Sequence, residues 1–348
     1  MTGRARIKEI AALANVGTAT VDRVLHGRSH VAHATRQKVL QAQSAIESGA
    51  WTVRGPRPWR LKVILPEMAG LSTEYLARCF EEFGARGNAV VECGFSKKLE
   101  PKALARKLRS CGSGKWDAVA FQALEDPRVR EAVSYLKERE VPCLSLLSSL
   151  PNSDVVGFVG SDARSAGRTA GLLMGLSCAH SGTIAIVSGG QLYRSHENRE
   201  MGFRSYIREH AKHLTVLDTL IGQDDSDQNY EHVATLIREC SDLIGIYNVG
   251  GGNEGLIQAL QEADLANEVC IIAHNLTPRT REHLSEGILN FVLHQDMRIL
   301  AERSMNAIIA YITKQKHEPS LVPVEIVTRE NVGFRETAIS HLFDPPKS

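Results

Sequence analysis

The segment IKEIAALANVGTATVDRVL, residues 7–25, predicts two short helices joined by a tight turn at residues 15–17. A loop at 26–30 and a third amphipathic helix over 35–46 follow it. Apolar residues recur at helical spacing and are expected to face inward: Ile7, Ile10, Ala11, Ala14, Val21, Val24, Val39, Leu40 and Ala42. Two short helices that are joined by a turn and braced by a third are typical of a helix-turn-helix unit.

The same region holds an excess of positive charge that the total conceals. The 348 residues include 41 Lys and Arg against 40 Asp and Glu, for a net charge of +1. Residues 1–60 contain ten basic and three acidic residues, a balance of +7 that leaves −6 on the rest of the chain. A basic segment on a mildly acidic body is typical of phosphate binding. On charge alone, a solvated basic tail explains the count equally well.

The second predicted helix favours DNA as the partner. In a helix-turn-helix unit this helix enters the major groove, and its N-terminal residues reach the base edges. Its predicted exposed side chains are Thr18, Ala19, Thr20 and Arg23. A three-helix packing module would show the same apolar pattern, but these side chains and the cations in the loop and third helix favour DNA.

At these residues the chain resembles the lactose/galactose repressor family of bacterial transcription regulators. Residues 7–25 match that family's N-terminal signature nearly position for position, and the match continues at His30-Val31, Thr35-Arg36 and Lys38-Val39. The resemblance implies that Thr18, Ala19 and Arg23 read bases, where arginine suits guanine. It implies phosphate contacts from Thr20, His30 and Thr35. With the loop cation included, the predicted DNA-contacting residues are Thr18, Ala19, Thr20, Arg23, Arg28, His30 and Thr35.

Two residues of the helical region depart from the family pattern. Arg6 stands where the family usually has a threonine N-cap, so the first helix lacks a favourable cap. Asp22 replaces a neutral residue and brings an anion near phosphate. Alternatively, Asp22 pairs with Arg23 or Arg28 and sets the orientation of that side chain.

The linker over residues 49–60 also departs from the family, which normally has a hinge helix here. Pro56 and Pro58 each lack a backbone donor and favour extended geometry before them, so no helix is expected. Trp51 or Trp59, with nearby arginines at 54 and 57, is a candidate for an alternative contact between this arm and DNA. The alternative is that both tryptophans pack on the body.

From residue 61 onward, short apolar runs alternate with helical stretches. The predicted strands are 61–65, 89–95, 118–124, 142–147, 183–188, 243–249, 269–274 and 290–294. Near-continuous apolar strands that alternate with helices predict an α/β fold, with parallel sheets covered on both faces. About 280 residues are many for one sheet, so two α/β lobes with a ligand cleft between them are expected.

The body resembles the periplasmic sugar-binding-protein fold, which is the effector domain of those repressors. The matching segments are residues 161–167, 198–203 and 294–300. The resemblance implies a small sugar or polyol ligand, with Arg199 clamping its hydroxyls and Asn275 standing where many members have Asp. Tyr193 is a candidate for stacking on the ligand, and Arg194 for an anion contact. The predicted ligand-binding residues are Asp162, Arg194, Arg199, Asn248, Asn275 and Gln295.

The resemblance also sets the predicted domain boundaries. The helix-turn-helix domain covers residues 1–48, the linker 49–60, the effector domain 61–341 and a tail 342–348. Within the effector domain, lobe one is predicted as 61–161 plus 293–320, and lobe two as 162–292 plus 321–341. The tail is too short and polar for a tetramerising helix, so we expect a homodimer that reads palindromic half-sites of double-stranded operator DNA.

Other functions receive weaker support from the sequence. Gly250–Gly255 satisfies G-x-G-x-x-G after a predicted strand, so a cytosolic enzyme that binds a sugar or nucleotide is the alternative. His196 and Glu197 form a possible acid–base pair, but no nucleophile or metal-spaced partner accompanies them. We therefore predict a regulator, with repression as the family's usual action and corepression left open, and no catalytic residue, metal or cofactor. A solute-binding protein is disfavoured by the basic head.

The cysteines and hydropathy predict the compartment. Seven cysteines, an odd number, are widely spaced without a C-x-x-C pair. They are expected to be free thiols in a reducing cytosol. No apolar run reaches the roughly 18–20 residues of a membrane span, and the N-terminus lacks a secretory apolar region. We therefore expect a cytoplasmic protein without a membrane partner.

Overall fold

The computed structural model describes residues 7–14, 16–28, 31–47, 58–316 and 321–333. The chain separates into two compact units, one that contains the N-terminal helices and one that contains most of the body. No helix in these described ranges is both long and apolar enough to cross a membrane.

The N-terminal unit contains helices α1 (Ile7–Ala14), α2 (Thr18–Leu25) and α3 (His33–Glu47). Their common core consists of the buried side chains Ile10, Ala11, Ala14, Val21, Val24, Val39 and Ala42. Helix α2 has the predicted bounds, and α3 extends beyond its predicted range at both ends. Two predicted core residues are instead exposed: Ile7 by 36% and Leu40 by 47%. Ile7 is the first residue of α1, and Leu40 is next to the buried Val39 on α3. Both side chains therefore lie outside the buried face of their helix.

Lobe one is built on a sheet of parallel strands in the order β2-β1-β3-β4-β5. Its strands are β1 (Trp59–Pro66), β2 (Ala89–Ser96), β3 (Ala118–Gln122), β4 (Cys143–Leu146) and β5 (Gly157–Val159). Helices α4 (Leu71–Arg86), α5 (Pro101–Ser110) and α6 (Pro127–Lys137) connect them. Strands β1, β3 and β4 are largely buried, as the continuous apolar runs predicted, whereas most residues of β2 and β5 at the sheet edges are not. A cluster around Phe121, Leu136 and Leu108 forms the core.

Lobe two is built on a second sheet in the order β12-β11-β10-β9-β6-β7, with β8 beside β6. Its strands are β6 (Gly182–Ser188), β7 (Leu214–Val216), β8 (Leu220–Ile221), β9 (Leu243–Asn248), β10 (Cys270–His274), β11 (Phe291–Gln295) and β12 (Val324–Val327). Its helices are α7 (Ala163–Ser177), α8 (Arg194–His210), α9 (Ser226–Glu239), α10 (Asn253–Glu262) and α11 (Pro278–Ser285). Only β12 among these paired strands runs antiparallel, against β11.

The chain crosses between the lobes at the ends of particular elements. The first crossing lies between β5 and α7, at residues 160–162. The second follows β11, whose last residue Gln295 still pairs within the sheet of lobe two. The next helix, α12 (Met297–Ile312), contacts β4 and β5 and so belongs to lobe one. The third predicted crossing, near Ser320, lies outside the described residues.

All eight strands that the apolar runs predicted are present in the two sheets. The sequence did not predict β5, β7, β8 and β12, which are two to four residues long. Strands this short contain too few residues to show a hydrophobic pattern, and their pairing partners lie far along the chain.

Candidate functional site

The first turn of α2 presents the residues that were predicted to read DNA. Thr18, Ala19 and Arg23 are exposed, and Thr20 is half-buried. The opposite face of α2 is fixed, because Val21 and Val24 belong to the core of the helical unit. The structure therefore leaves the polar face of α2 open to solvent.

The contacts of Asp22 agree with the alternative in which its carboxylate pairs with a nearby arginine. Its carboxylate lies 3.4 Å from the Nη1 atom of Arg28 and 3.1 Å from the Nδ1 atom of His26. Arg36 in α3 donates to the Arg28 carbonyl at 3.2 Å. Asp22 thus pairs with Arg28, while Arg23 makes no ion pair with any described residue.

The remaining predicted DNA contacts are only partly described. Thr35 is half-buried near the start of α3. His30, Trp51, Arg54 and Arg57 lie outside the described residues. Trp59 is the first residue of β1, and its backbone N–H donates to the Asn88 carbonyl at 2.9 Å. Its indole Nε1 atom is buried. For this tryptophan the structure supports the packing alternative.

A cavity of about 360 Å³ lies between the two lobes. Lobe one contributes the loop after β1, residues 68–73, together with Gln122, Leu147 and Met297. Lobe two contributes the start of α8, the loops around 224–226 and 250–254, and residues 274–280 with Gln295. These segments follow the carboxyl ends of parallel strands, where open α/β folds place their ligands.

Three of the predicted ligand-binding residues line this cavity, namely Arg199, Asn275 and Gln295. Arg199 and Gln295 are buried, and Asn275 is half-buried. Asn275 adopts a left-handed backbone with φ of 64°. Asparagine tolerates this conformation better than most residues, so the backbone alone favours asparagine at position 275, apart from any ligand contact.

The other three predicted ligand-binding residues do not line the cavity. Asp162 caps α7, where its carboxylate accepts from the Ser165 backbone N–H at 3.0 Å, and these Ser165 contacts lower the pKa of the carboxyl. Arg194 lies 3.8 Å from the Glu197 carboxylate. Asn248 is buried at the end of β9, where its Nδ2 atom donates to the Gly251 carbonyl at 2.9 Å. In this structure each of the three makes contacts within its own lobe.

The cavity collects buried polar atoms that have no hydrogen-bond partner among the described residues. Five side chains that line it each hold such an atom: Gln122 Oε1, His196 Nδ1, Arg199 Nε, Asn275 Oδ1 and Gln295 Oε1. A buried unpaired polar group costs roughly 1–3 kcal/mol, and proteins satisfy most such groups. Their concentration in one cavity indicates a site that is completed by a polar ligand or by water.

The position of Arg199 depends on close backbone contact between α7 and α8. A Cβ atom at Gly167 in α7 would lie 1.9 Å from the Arg199 carbonyl oxygen. Since glycine lacks this atom, the two helices pack backbone to backbone. The Arg199 side chain then reaches the cavity, where its Nη1 atom donates to the Val249 carbonyl at 2.7 Å. Burial lowers the pKa of the guanidinium, but arginine stays protonated and remains an obligate donor.

Two buried histidines stand beside Arg199 in the cavity wall. Burial lowers the pKa of His196, with Asp224 opposing and Arg199 adding to the shift. Burial lowers the pKa of His274 well below its usual range, and the nearby Arg199 acts in the same direction. The Tyr247 hydroxyl and His274 Nε2 are 2.8 Å apart. Both imidazoles are therefore neutral at pH 7, and each offers one donor and one acceptor.

The glycine-rich segment 250–255 packs closely against the neighbouring loop. A Cβ atom at Gly250 would lie 2.0 Å from the Asp224 Oδ1 atom, and one at Gly255 would lie 1.7 Å from the Ser226 carbonyl oxygen. The Gly251 backbone N–H donates to the same Asp224 oxygen at 2.7 Å. Gly252 has a φ of +71°. Close packing thus explains the glycines of this segment without a bound nucleotide phosphate.

Residues that the sequence did not nominate also reach the cavity. Gln122 and His274 are the last residues of β3 and β10, so the rule that ligands bind at carboxyl strand ends would have found them. Asp224 follows β8, a two-residue strand that had no recognisable pattern. No signal in the sequence marked Asp224 as a cavity residue.

The fold and this cavity define a two-lobed ligand-binding body of the periplasmic-binding-protein type, joined to a helix-turn-helix domain. Residues 80–316 match the family described as "Periplasmic binding protein domain". Residues 6–47 match "Bacterial regulatory proteins, lacI family". The chain belongs to the periplasmic binding protein domain family and carries a lacI-family DNA-binding domain at its N-terminus.

Known proteins resemble this chain, or the greater part of it, at low sequence identity. The chain is 24% identical to catabolite control protein A of Priestia megaterium over 345 residues, which cover 95% of this chain and 98% of the relative. A solute-binding protein of Burkholderia graminis C4D1M in complex with D-arabinose superposes with a TM-score of 0.75 at 18% identity, covering 80% of this chain and 98% of that one. A putative LacI transcriptional regulator from Bacteroides fragilis gives 0.70 at 17% identity, covering 80% and 99%. These likenesses confirm the predicted fold class.

Proposed function

We propose that this chain is a transcription regulator whose affinity for operator DNA is controlled by a small sugar or polyol bound between the lobes. The observation that carries the proposal is the gathering of five unpaired buried polar atoms in the interlobe cavity. The lacI-family domain supplies the DNA-binding half. The relative from Priestia megaterium, a control protein by name, matches along nearly the whole of both chains.

The chemistry of the cavity favours a ligand rich in hydroxyl groups. Arg199 offers donors, and the Gln122, Asn275 and Gln295 side chains offer amide groups that both donate and accept. A hydroxyl group is also both a donor and an acceptor, so it can pair with any of these side chains. Asp224 adds a carboxylate that accepts hydroxyl donors. The D-arabinose complex among proteins of the same fold agrees with this ligand class.

The exposed face of α2 supports an assignment of the DNA contacts. Thr18, Ala19 and Arg23 would meet base edges in the major groove, and Thr20 with Thr35 would contact phosphates. Arg28, already held by Asp22, would contribute charge. One helix-turn-helix unit reads too few base pairs for specificity, so a homodimer on palindromic half-sites follows from this assignment.

The ligand would act through the lobes. A molecule that contacts both walls of the cavity stabilises one arrangement of the lobes and so shifts the dimer between forms that fit or do not fit the half-site spacing. We propose that ligand binding lowers operator affinity and so releases repression. A ligand that raises operator affinity would instead indicate corepression.

The ligand part is tested with matched arginine variants on one helix. Sugars and polyols that raise the thermal stability of the chain are selected first, since binding to the native state stabilises it by mass action. Their effect on operator affinity is then measured by fluorescence anisotropy. Arg199→Gln should abolish the effect of the selected compound while ligand-free DNA affinity stays within about twofold. Arg194→Gln, five residues before Arg199 but outside the cavity wall, should respond as wild type does.

Two results contradict this part of the proposal. One is a full ligand response in the Arg199→Gln variant. The other is a selected compound that stabilises the protein and leaves operator affinity unchanged at saturation.

The DNA part is tested at Arg23, whose guanidinium makes no ion pair in the described chain. Arg23→Ala should cost roughly 1–3 kcal/mol of binding, confined to one base position of the operator. The measurement compares affinities across a set of single-base operator variants. A uniform loss on every sequence would assign Arg23 to phosphate instead.

A further inference from the structure

The segment Leu192–Tyr193 belongs to lobe two but packs into lobe one. It lies between β6 and α8, both of lobe two. Tyr193 is 3% exposed and is part of the lobe-one apolar cluster that includes Phe121 and Leu150. Leu192 packs against the same cluster. A tyrosine ring in another lobe's core is a contact that opening of the lobes must break.

Hydrogen bonds between the lobes surround this contact. The Glu125 backbone N–H of lobe one donates to the Leu192 carbonyl at 2.8 Å. The Ser195 N–H donates to the Ser148 hydroxyl at 3.4 Å. Farther along the cleft, Lys98 Nζ donates to the Asp224 carbonyl at 3.1 Å. Three hydrogen bonds thus join the lobes in addition to the Tyr193 contact.

Tyr193 is also part of the cavity wall and of the site's scaffold. Its ring lies 5.2 Å from the His196 ring, and both side chains line the cavity. It directly precedes α8, the helix that carries Arg199. A movement that withdraws Tyr193 from lobe one would therefore also move the start of α8 and the donors it presents.

We infer that Tyr193 is a positioning residue that holds the two lobes together and aligns α8 with the cavity. The lobes then separate only when Tyr193 leaves the lobe-one core. The inference rests on the proposed function only in treating the cavity as the ligand site. The contact itself requires neither ligand nor DNA.

Hydrogen exchange of the ligand-free full-length protein tests the inference, because the Glu125 amide N–H of lobe one donates a hydrogen bond to Leu192 of lobe two. Mass spectrometry with residue-resolved fragmentation should find this amide protected in the wild type. Tyr193→Ala should raise its exchange rate at least tenfold. Tyr193→Phe, which keeps the ring in the lobe-one core, should retain the protection. Tyr206→Ala serves as the matched control, since that tyrosine lies within α8, the helix that Tyr193 precedes, but packs on Gly171 within lobe two.

A second amide separates lobe opening from loss of folding. The Asp117 N–H donates to the Arg60 carbonyl at 2.8 Å, both within lobe one. If Tyr193→Ala accelerates both amides, the inference requires Glu125 to accelerate at least tenfold more than Asp117. Rapid exchange of Glu125 in the wild type, or equal acceleration of the two amides, overturns it. Because the experiment contains no sugar and no operator, such a failure leaves the proposed function standing.

Discussion

At the scale of single residues, the interlobe site is dominated by buried basic groups. Arg199 is 6% exposed and keeps its charge, while His196 and His274 are held neutral largely by burial. Protonating either imidazole would place a second cation beside the guanidinium in a region of low dielectric. The folded protein therefore resists proton uptake at these sites.

This resistance predicts a dependence of stability on pH. His274 has a folded-state pKa far below that of the unfolded chain, so the unfolded state binds more protons as the pH falls below about 6.5. The stability is fully present above that value and decreases on acidification. Between pH 7.5 and 5.5 this histidine alone should lower the unfolding free energy by on the order of 1 kcal/mol.

Urea unfolding of the ligand-free protein at both pH values measures the effect. In His274→Gln the loss of stability between pH 7.5 and 5.5 should be smaller than in the wild type by on the order of 1 kcal/mol. His180→Gln, which changes an exposed histidine, is the control and should show the wild-type loss. An identical pH dependence in all three proteins would refute the assignment.

At the scale of elements, the pairing of α7 with α8 sets the site. Gly167 in α7 lies under the Arg199 carbonyl, and Gly202 in α8 lies under the Arg164 carbonyl, where a Cβ atom would approach within 2.1 Å. Each helix thus presents a glycine where the other's backbone comes closest. This reciprocal contact fixes the rotation of α8 and hence the direction of the Arg199 side chain.

Gly167→Ala should separate these helices. The added Cβ atom meets backbone that cannot move alone, so we expect a loss of about 1–3 kcal/mol of stability, together with a weaker ligand response. Gly175→Ala is the matched control on the same helix, because its Cβ atom would lie 3.3 Å from the Ala211 side chain, a much milder approach. Thermal unfolding and the ligand titration check both variants. Equal stability of the two variants would contradict this account.

At the scale of the whole molecule, charge and function are divided along the chain. Residues 1–60 carry +7 and the remainder −6. Under the proposed function, the DNA-binding domain would bind an anionic polymer through charge, while the cavity would bind its ligand through buried hydrogen bonds. The two binding reactions should respond differently to salt.

Operator affinity should fall steeply with ionic strength, whereas ligand affinity should remain nearly constant. A dimer that makes about 6–10 phosphate contacts loses roughly 10³–10⁵ in affinity between 50 and 200 mM salt, because bound counterions return to the DNA. A neutral polyol releases none. Anisotropy titrations for DNA and calorimetric titrations for the ligand, in the same salt series, measure the two slopes. A steep salt dependence of ligand binding would indicate an anionic ligand.

The helix-turn-helix unit and the parallel strands were determined by local sequence. Residues 7–25 have an apolar period that only helices satisfy, and the continuous apolar runs of the body require buried strands. The carboxyl ends of those strands located the cleft before the structure did. The resemblance to the periplasmic sugar-binding fold predicted Arg199, Asn275 and Gln295, and all three line that cleft.

Only the tertiary structure decided which polar residues meet in the cavity. Three predicted ligand-binding residues make other contacts instead. Asp162 caps α7, Arg194 lies near the Glu197 carboxylate, and Asn248 donates to the Gly251 carbonyl. Asp224 reaches the cavity after a two-residue strand that leaves no periodic signal. Tyr193 was a candidate for stacking on the ligand, but its packing into the core of lobe one was not predicted. Periodicity reports the face of an element that is buried, whereas the meeting of distant loops depends on how complete lobes pack together.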